Sequence, residues 1–561
     1  NSNTDRSLTP GESLVSWIGH PGDRDWIRLD ADRDAWVQVT LDGSGGGALD
    51  DPYLRIYDRH GDLVAQDDDG GETGYNAALT FQATGRGPYY IEAAGWNDEY
   101  TGRYTLQTTE IPPPPAHDPL KWGASAGDGD LTVHFAPADD SFDGYTSEGW
   151  TSAEMARFEA AFDMLSAVAD LTFTITDDPD ADFQLVLDTN EIPTGRDEFL
   201  GYFNPPGEHG AGVGVFNGAK WDRNGGGQME VGGYGFVTIV HELLHGLGLA
   251  HPHDDGGTST VMPGVTEDFD DFGDYNLNQG IFTTMSYNSG YMTGTPGSAP
   301  SVRSFGYEAG PMALDIAVLQ DLYGAVDNAT GDDVYHLHNS NAPGTSWQAI
   351  WDTGGDDKLH YDGGRDVNID LRDATLLTGP GGGGYVSAAK GIAGGYTIAA
   401  GAMIERAQSD RGDDRLTGNG QDNILKSGRG DDRVSGRGGD DLIFGGYGDD
   451  SIYGGIGNDT INGFAGDDKI FGGDGFDALF GGTGDDELFG EADGDVLHGG
   501  GGDDYLNGGG GADTLHGDAG ADGLFGEAGH DKLYGGAGKG YLGGGDGGDA
   551  ASAGDGVAVP R

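Results

Sequence analysis

The spacing of apolar residues changes character three times along the chain. Over residues 1–111 apolar and polar positions alternate in short runs, at 26–29, 35–41, 53–57, 79–81, 89–92 and 103–106. Turn-rich segments separate these runs, which predicts short strands in an N-terminal β-sandwich or jelly roll. Pro112 to Pro115 then favour an extended polyproline spacer, placed at 112–118. From 119 to 325 the two periods interleave. Residues 131–135 and 183–187 read as strands, and 212–216 as a further strand at a sheet edge. Thr151 and Glu154 form a capping-box start, after which Met155, Phe158, Phe162, Leu165 and Ala169 share one helical face. Pro311 is expected to open a last helix bearing Met312, Ile316, Leu319 and Leu322. An α+β domain is predicted here.

From Ser409 to Ser552 the period becomes nine, in one unbroken frame of sixteen repeats of Gly-Gly-x-Gly-x-Asp-x-U-x, where U is a large aliphatic residue. This pattern is that of a calcium-binding parallel β-roll. The aliphatic residue points inward, and Asp supplies a hard oxygen ligand. The expected calcium ligands are the sixth-position residues Asp432, Asp441, Asp450, Asp459, Asp468, Asp477, Asp486, Asp495, Asp504, Asp513, Asp522 and Asp531. So many carboxylates repel one another without cations, so disorder without Ca²⁺ and folding on binding are expected. Gly540 and Ala551 break the template, which predicts a frayed last coil. Residues 326–408 read as a transition with an isolated first coil at 351–359, and 553–561 as a tail.

Composition narrows the function classes. Lys+Arg is 29 against 95 Asp+Glu, a net charge of −66, which disfavours nucleic acid and anionic membranes as partners and attracts cations. The acidity extends beyond the repeats, which suggests a saline habitat. No cysteine is present, so neither disulfides nor thiolate chemistry enter. Apolar runs are far shorter than the ~20 residues of a bilayer span. A start at Asn1 without a hydrophobic leader reads as a mature or trimmed form. Asp50, Asp51, Asp67, Asp68 and Asp69 could form a calcium site or simply an acidic turn.

The chemistry is carried by His241-Glu242-Leu-Leu-His245-Gly-Leu-Gly248-Leu-Ala-His251. On a helix, imidazoles at i and i+4 reach the same zinc ion, and Glu242, about 100° away, can face a water without ligating. Gly248 can end the helix sharply and return His251 as a third ligand. Three imidazoles leave a coordination position open, as a catalytic zinc site requires. His253 and Asp254 read as loop residues, and His209 as a candidate for the cleft wall.

With Thr283-Thr-Met285-Ser-Tyr287 downstream, the chain over about 119–552 resembles the serralysins, secreted bacterial zinc endopeptidases of the metzincin clan. The resemblance implies an apolar floor under the metal at Met285. It also implies that Tyr287 is a further zinc ligand, able to swing away and stabilise the transition state. Glu242 and Tyr287 are then catalytic, and His241, His245, His251 and Tyr287 hold one catalytic Zn²⁺. Several structural Ca²⁺ ions belong in the roll. Proteins or peptides would be the substrates of a monomer acting outside the cell, without membrane insertion. Residues 51–104 resemble the bacterial pre-peptidase C-terminal (PPC) family of accessory β-sandwiches, placed here before the peptidase rather than after it. The roll is longer than the resemblance suggests. The end at 554–561 lacks the acidic-then-hydrophobic tail expected for type I secretion. The alternative reading is a calcium-dependent extracellular adhesive or matrix protein with an inactive peptidase domain.

Overall fold

The computed structural model describes residues 6–20, 24–32, 35–43, 48–49, 52–59, 63–67, 77–83, 88–95, 101–113, 115–142, 144–188, 200–218, 227–254, 257, 259–294, 302–554 and 557–559. The chain is mostly β with few helices, and it divides into two compact units, Asn1–Pro114 and Pro115–Arg561.

Alternation builds the first unit. Pro52–Tyr57 presents every second side chain to the interior, so one face of each strand is apolar. A five-stranded sheet runs in the order Ser7–Leu8, Asp25–Leu29, Tyr89–Gly95, Pro52–Tyr57, Leu63–Asp67. A four-stranded sheet follows the order Ser13–Ile18, Gly102–Ile111, Trp36–Gly43, Ala77–Gln82. Ile27, Leu54, Ile56 and Ile91 of the first sheet share one core with Val39, Leu41 and Leu106 of the second. Of the acidic turn, Asp50, Asp51, Asp68 and Asp69 and the side chain of Asp67 lie outside the described residues.

The second unit starts with a five-stranded sheet in the order Thr172–Ile175, Asp130–Phe135, Phe183–Asp188, Val213–Asn217, Gly201–Phe203. All neighbours are parallel except the last pair. The expected edge strand at 212–216 is therefore interior. It pairs with Phe183–Asp188 on one side and Gly201–Phe203 on the other. Its side chains from Val213 to Asn217 are all buried, as an interior strand's are. Three helices accompany this sheet: α1 (Ser152–Ser166), α2 (Tyr234–Leu247) and α3 (Ala313–Tyr323). The Thr151–Glu154 capping box starts α1, and Phe158, Phe162 and Leu165 are buried. Helix α3 begins two residues after Pro311, where Asp315 accepts the Met312 amide at 2.9 Å.

The nonapeptides wind into a parallel solenoid. Successive repeats alternate between an eleven- and a thirteen-stranded sheet, so each residue pairs with the one eighteen positions on, as in Ile443 with Ile461 and Leu488 with Leu506. The eighth-position aliphatics, from Leu416 to Leu542, are 0–1% exposed and form two facing stacks in one core. The ladder starts earlier than the nine-residue frame, because Val334–His336 and Lys358–His360 already pair in register with Arg406–Gln408. There a single inward residue per strand, Tyr335, Leu359 and Ala407, continues the core without the glycine template. At the far end the expected fraying is not seen in the backbone: Ala550–Ser552 and Val557–Val559 still pair. Ala550 to Ser552 are nonetheless exposed. Among the described residues no helix is long and apolar enough to cross a membrane.

Candidate metal centre and cleft

Helix α2 is held by apolar packing. Phe236, Ile239, Val240, Leu243, Leu244 and Leu247 are fully buried, and Glu242 and His245 are carried into the interior with them. Gly248 caps α2 at φ 102°. A Cβ there would run into the Ala124 carbonyl oxygen, so a side chain is excluded on steric as well as conformational grounds. The reversed chain returns His251. His251 Nε2 lies 3.1 Å from Nε2 of His241 and 2.9 Å from Nε2 of His245.

The opposite ring nitrogens explain that convergence. His241 Nδ1 lies 2.8 Å from the Thr284 carbonyl oxygen and His245 Nδ1 2.9 Å from that of Leu249. Carbonyls only accept, so these Nδ1 atoms carry the protons and each Nε2 offers a lone pair. His251 Nδ1 sits 2.8 Å from Asp254 Oδ2, which also accepts the His251 amide at 2.9 Å. Three lone pairs pointed at one another repel unless a cation lies between them, so the donor set fits a transition metal with imidazole preference, and zinc in particular. Burial and neighbouring imidazoles push His241 down to about 3 and His245 well below its usual value, which keeps both in the neutral, ligating form.

Glu242 stands beside the three rings and outside their contact. Burial raises its carboxyl to about 8, partly offset by the Phe203 backbone. Both line a cleft of about 1180 Å³, with the Gly201–Phe203 edge strand in one wall and Thr284, Ser286 and Tyr287 in another. The Tyr287 ring lies 4.6 Å from that of His251 and stacks on Phe269 at 5.1 Å. Met285 is fully buried in the apolar core, as a floor residue would be. Its turn is fastened at two points: to α2 through Thr284 and His241, and to α3 through Asp315. Asp315 accepts from Thr283 Oγ1 and the Thr284 amide, both at 2.6 Å.

The loop reading of His253 and Asp254 stands, since both lie outside helix and strand, and the cleft lining adds to it, with His253 stacked on His251 at 4.9 Å. A carboxylate three residues beyond the last histidine was the available sign. His209 is not among the lining residues. Asp315 and Glu308 carried no local pattern that pointed to the site.

The roll presents a second donor array. Each sixth-position aspartate from Asp432 to Asp513 is 0–3% exposed, and its Oδ1 accepts the amide of the residue eighteen positions before, as Asp450 does from Asp432 at 2.9 Å. The Oδ2 atoms of all twelve expected ligands, and of Asp414, are buried without a hydrogen-bond partner. From Asp441 to Asp531 each faces a first-position glycine, as a Cβ on Gly436 would overlap Oδ2 of Asp441, whereas Ser409 and Ser427 hold that position before Asp414 and Asp432. Rows of unpartnered carboxylate oxygens in glycine cradles fit Ca²⁺. Asp333, Asp352 and Asp357 form a further cluster at the start of the ladder, which the nine-residue frame does not reach.

The chain matches the family of RTX calcium-binding nonapeptide repeats (4 copies) over residues 408–443, 444–479, 480–515, 507–542 and 516–551. A serralysin from Photorhabdus luminescens is 32% identical over 225 residues, 38% of this chain and 42% of that protein. A serralysin from Proteus mirabilis is 35% identical over 208 residues, 35% of this chain and 38% of its own length. Metallopeptidase AprA of Pseudomonas marginalis is 30% identical over 222 residues, 35% and 40% of the two chains. The chain thus spans about two fifths of the length of these relatives. The solved pre-peptidase C-terminal domain of a Bacillus anthracis collagenase aligns at 15% identity, over 18% of this chain and 93% of that one, with a TM-score of 0.15. The chain is similar to serralysins over about two fifths of their length, and its residues 408–551 match RTX calcium-binding nonapeptide repeats.

Proposed function

We propose that this chain is a secreted bacterial endopeptidase of the metzincin clan that hydrolyses extended protein substrates outside the cell and is stabilised by calcium in its roll. The observation that carries the reading is the convergence of three Nε2 atoms, each ring oriented from behind, beside a buried acid that takes no part in the cluster. Zinc held by His241, His245 and His251 supplies Lewis acidity for water activation and carbonyl polarisation. Glu242 takes the proton of the attacking water and returns it to the leaving amine. A cation held by the three imidazoles would favour the Glu242 carboxylate against the effect of burial. Tyr287 donates to the oxyanion as it forms. An extended peptide pairs with the edge strand Gly201–Phe203, not with the interior strand behind it. The interior strand carries the edge strand and so sets its height over the triad. The protein acts as a monomer on peptides, and nucleic acid and membrane play no part. The α+β arrangement around α2 is the metzincin catalytic domain, placed at 119–325. Residues 1–111 form the accessory sandwich and the roll lies beyond 409. An inactive adhesive protein would have no use for a complete ligand set with Glu242 intact.

The test is Glu242→Ala. It retains one zinc per chain by metal analysis and loses about 10²–10⁴-fold in kcat/KM on casein-derived peptides. Wild-type activity disappears with a zinc chelator and returns with zinc. Near-full proteolysis by the variant would overturn the assignment.

A further inference from the structure

Glu308 is an acid that the proposed hydrolysis does not use. It is 2% exposed, yet it lines the same cleft as the triad, with Tyr234, Thr238 and Ser289. Its carboxylate accepts the Gly290 amide at 2.7 Å. Among the described residues no Lys, Arg or His nitrogen lies within the 4.0 Å of an ion pair. A buried carboxylate without a cation is costly. Its burial pushes the carboxyl up to about 7.

The backbone holds this side chain where it is. Glu308 bridges Trp347, and Tyr307 donates its amide to the Gly232 carbonyl just before α2. Gly280 leaves room for the carboxylate, since a Cβ there would collide with Glu308 Oε1. The placement is also directional. Tyr234 and Thr238 share the cleft-lining side of α2 with His241 and precede it by seven and three residues, about 10 and 5 Å along the axis. Tyr307, next to Glu308, is bonded to Gly232 and its ring lies 5.1 Å from that of Tyr234, so Glu308 marks a subsite on the side of the cleft at the start of α2. Asp254 and Asp268 in the lining add negative charge to the cleft.

We infer that Glu308 makes this subsite a receptor for a cationic side chain of the substrate, Arg or Lys, through an ion pair completed only when the peptide is bound. The inference rests on the peptidase reading and names a specificity determinant within it. A bound guanidinium or ammonium gives the carboxylate the partner that the folded chain withholds. A neutral side chain leaves it buried and unpaired, and such mismatches discriminate strongly.

The experiment uses the full zinc- and calcium-loaded chain and peptides that differ only in charge. Arginine is paired with citrulline, and lysine with acetyl-lysine, at each position flanking the cleaved bond. At one position the charged peptide is favoured at least 10-fold in kcat/KM, and Glu308→Gln brings that ratio to within about 2-fold of unity. Agmatine binding, measured by calorimetry on the Glu242→Ala background, weakens about 10-fold on adding Glu308→Gln. Equal cleavage of charged and neutral peptides at every position, or a preference that survives Glu308→Gln, overturns the inference. If no peptide is cleaved at all, the peptidase reading fails, and the agmatine comparison still decides the role of Glu308. If the Gln variant does not fold by near-ultraviolet circular dichroism, the peptide pairs on the unsubstituted chain decide it alone.

Discussion

Calcium removal perturbs the roll in a way that depends on pH with a definite sign. The sixth-position aspartates are buried with one oxygen unpartnered. Burial, reinforced by neighbouring carboxylates, raises Asp441, Asp468, Asp486 and Asp495 to about 7 and Asp450 to about 8, from 3.8. In the calcium-free chain the folded roll thus holds protons that the unfolded chain has released. Stability falls as pH rises from about 4 through 7, the reverse of the usual acid-labile carboxylate. Three units correspond to about 4 kcal/mol at full weight, and partial water access reduces this to roughly 1–2 kcal/mol per carboxylate. Together these five groups amount to roughly 5–10 kcal/mol, comparable to the ~5–15 kcal/mol that stabilises a typical domain. Far-ultraviolet circular dichroism in chelator should show the roll unfolded at pH 7.5 and substantially β at pH 4.5. Millimolar Ca²⁺ should restore the β signal at pH 7.5, where carboxylates are the ligating form. A chelated roll that is stable at pH 7.5 and lost at pH 4.5 would refute both the sign and the cause.

Asp254→Ala removes the acceptor that orients His251, and zinc affinity by competition with a chromophoric chelator should fall about 10–100-fold. Unchanged affinity would mean that the 2.8 Å contact does not orient the ligand. Leu488→Ala opens a hole in the aliphatic core and should cost the calcium-loaded roll about 2–5 kcal/mol, read as a lower calcium-saturated Tm. A change under 1 kcal/mol would show that neighbouring coils close over the gap.

Local physics made much of this protein legible without coordinates. The nine-residue frame needs only one turn geometry and one inward aliphatic per repeat, so the aliphatic core from Leu416 to Leu542 follows from composition at fixed spacing. The imidazoles of His241 and His245 share a helix face by helical periodicity alone, and Gly248 had to end that helix. Contacts between distant segments required the folded chain. Strand order placed Gly201–Phe203, not the strand at 212–216, at the sheet edge, because pairing depends on what lies beside a strand and not on its own alternation. Asp315 and Glu308 are single acids in unremarkable surroundings. They acquire roles only when burial strips their water and a turn some twenty to thirty residues earlier supplies amide donors. Periodicity records which face a residue takes, whereas desolvation and partner choice belong to the tertiary structure.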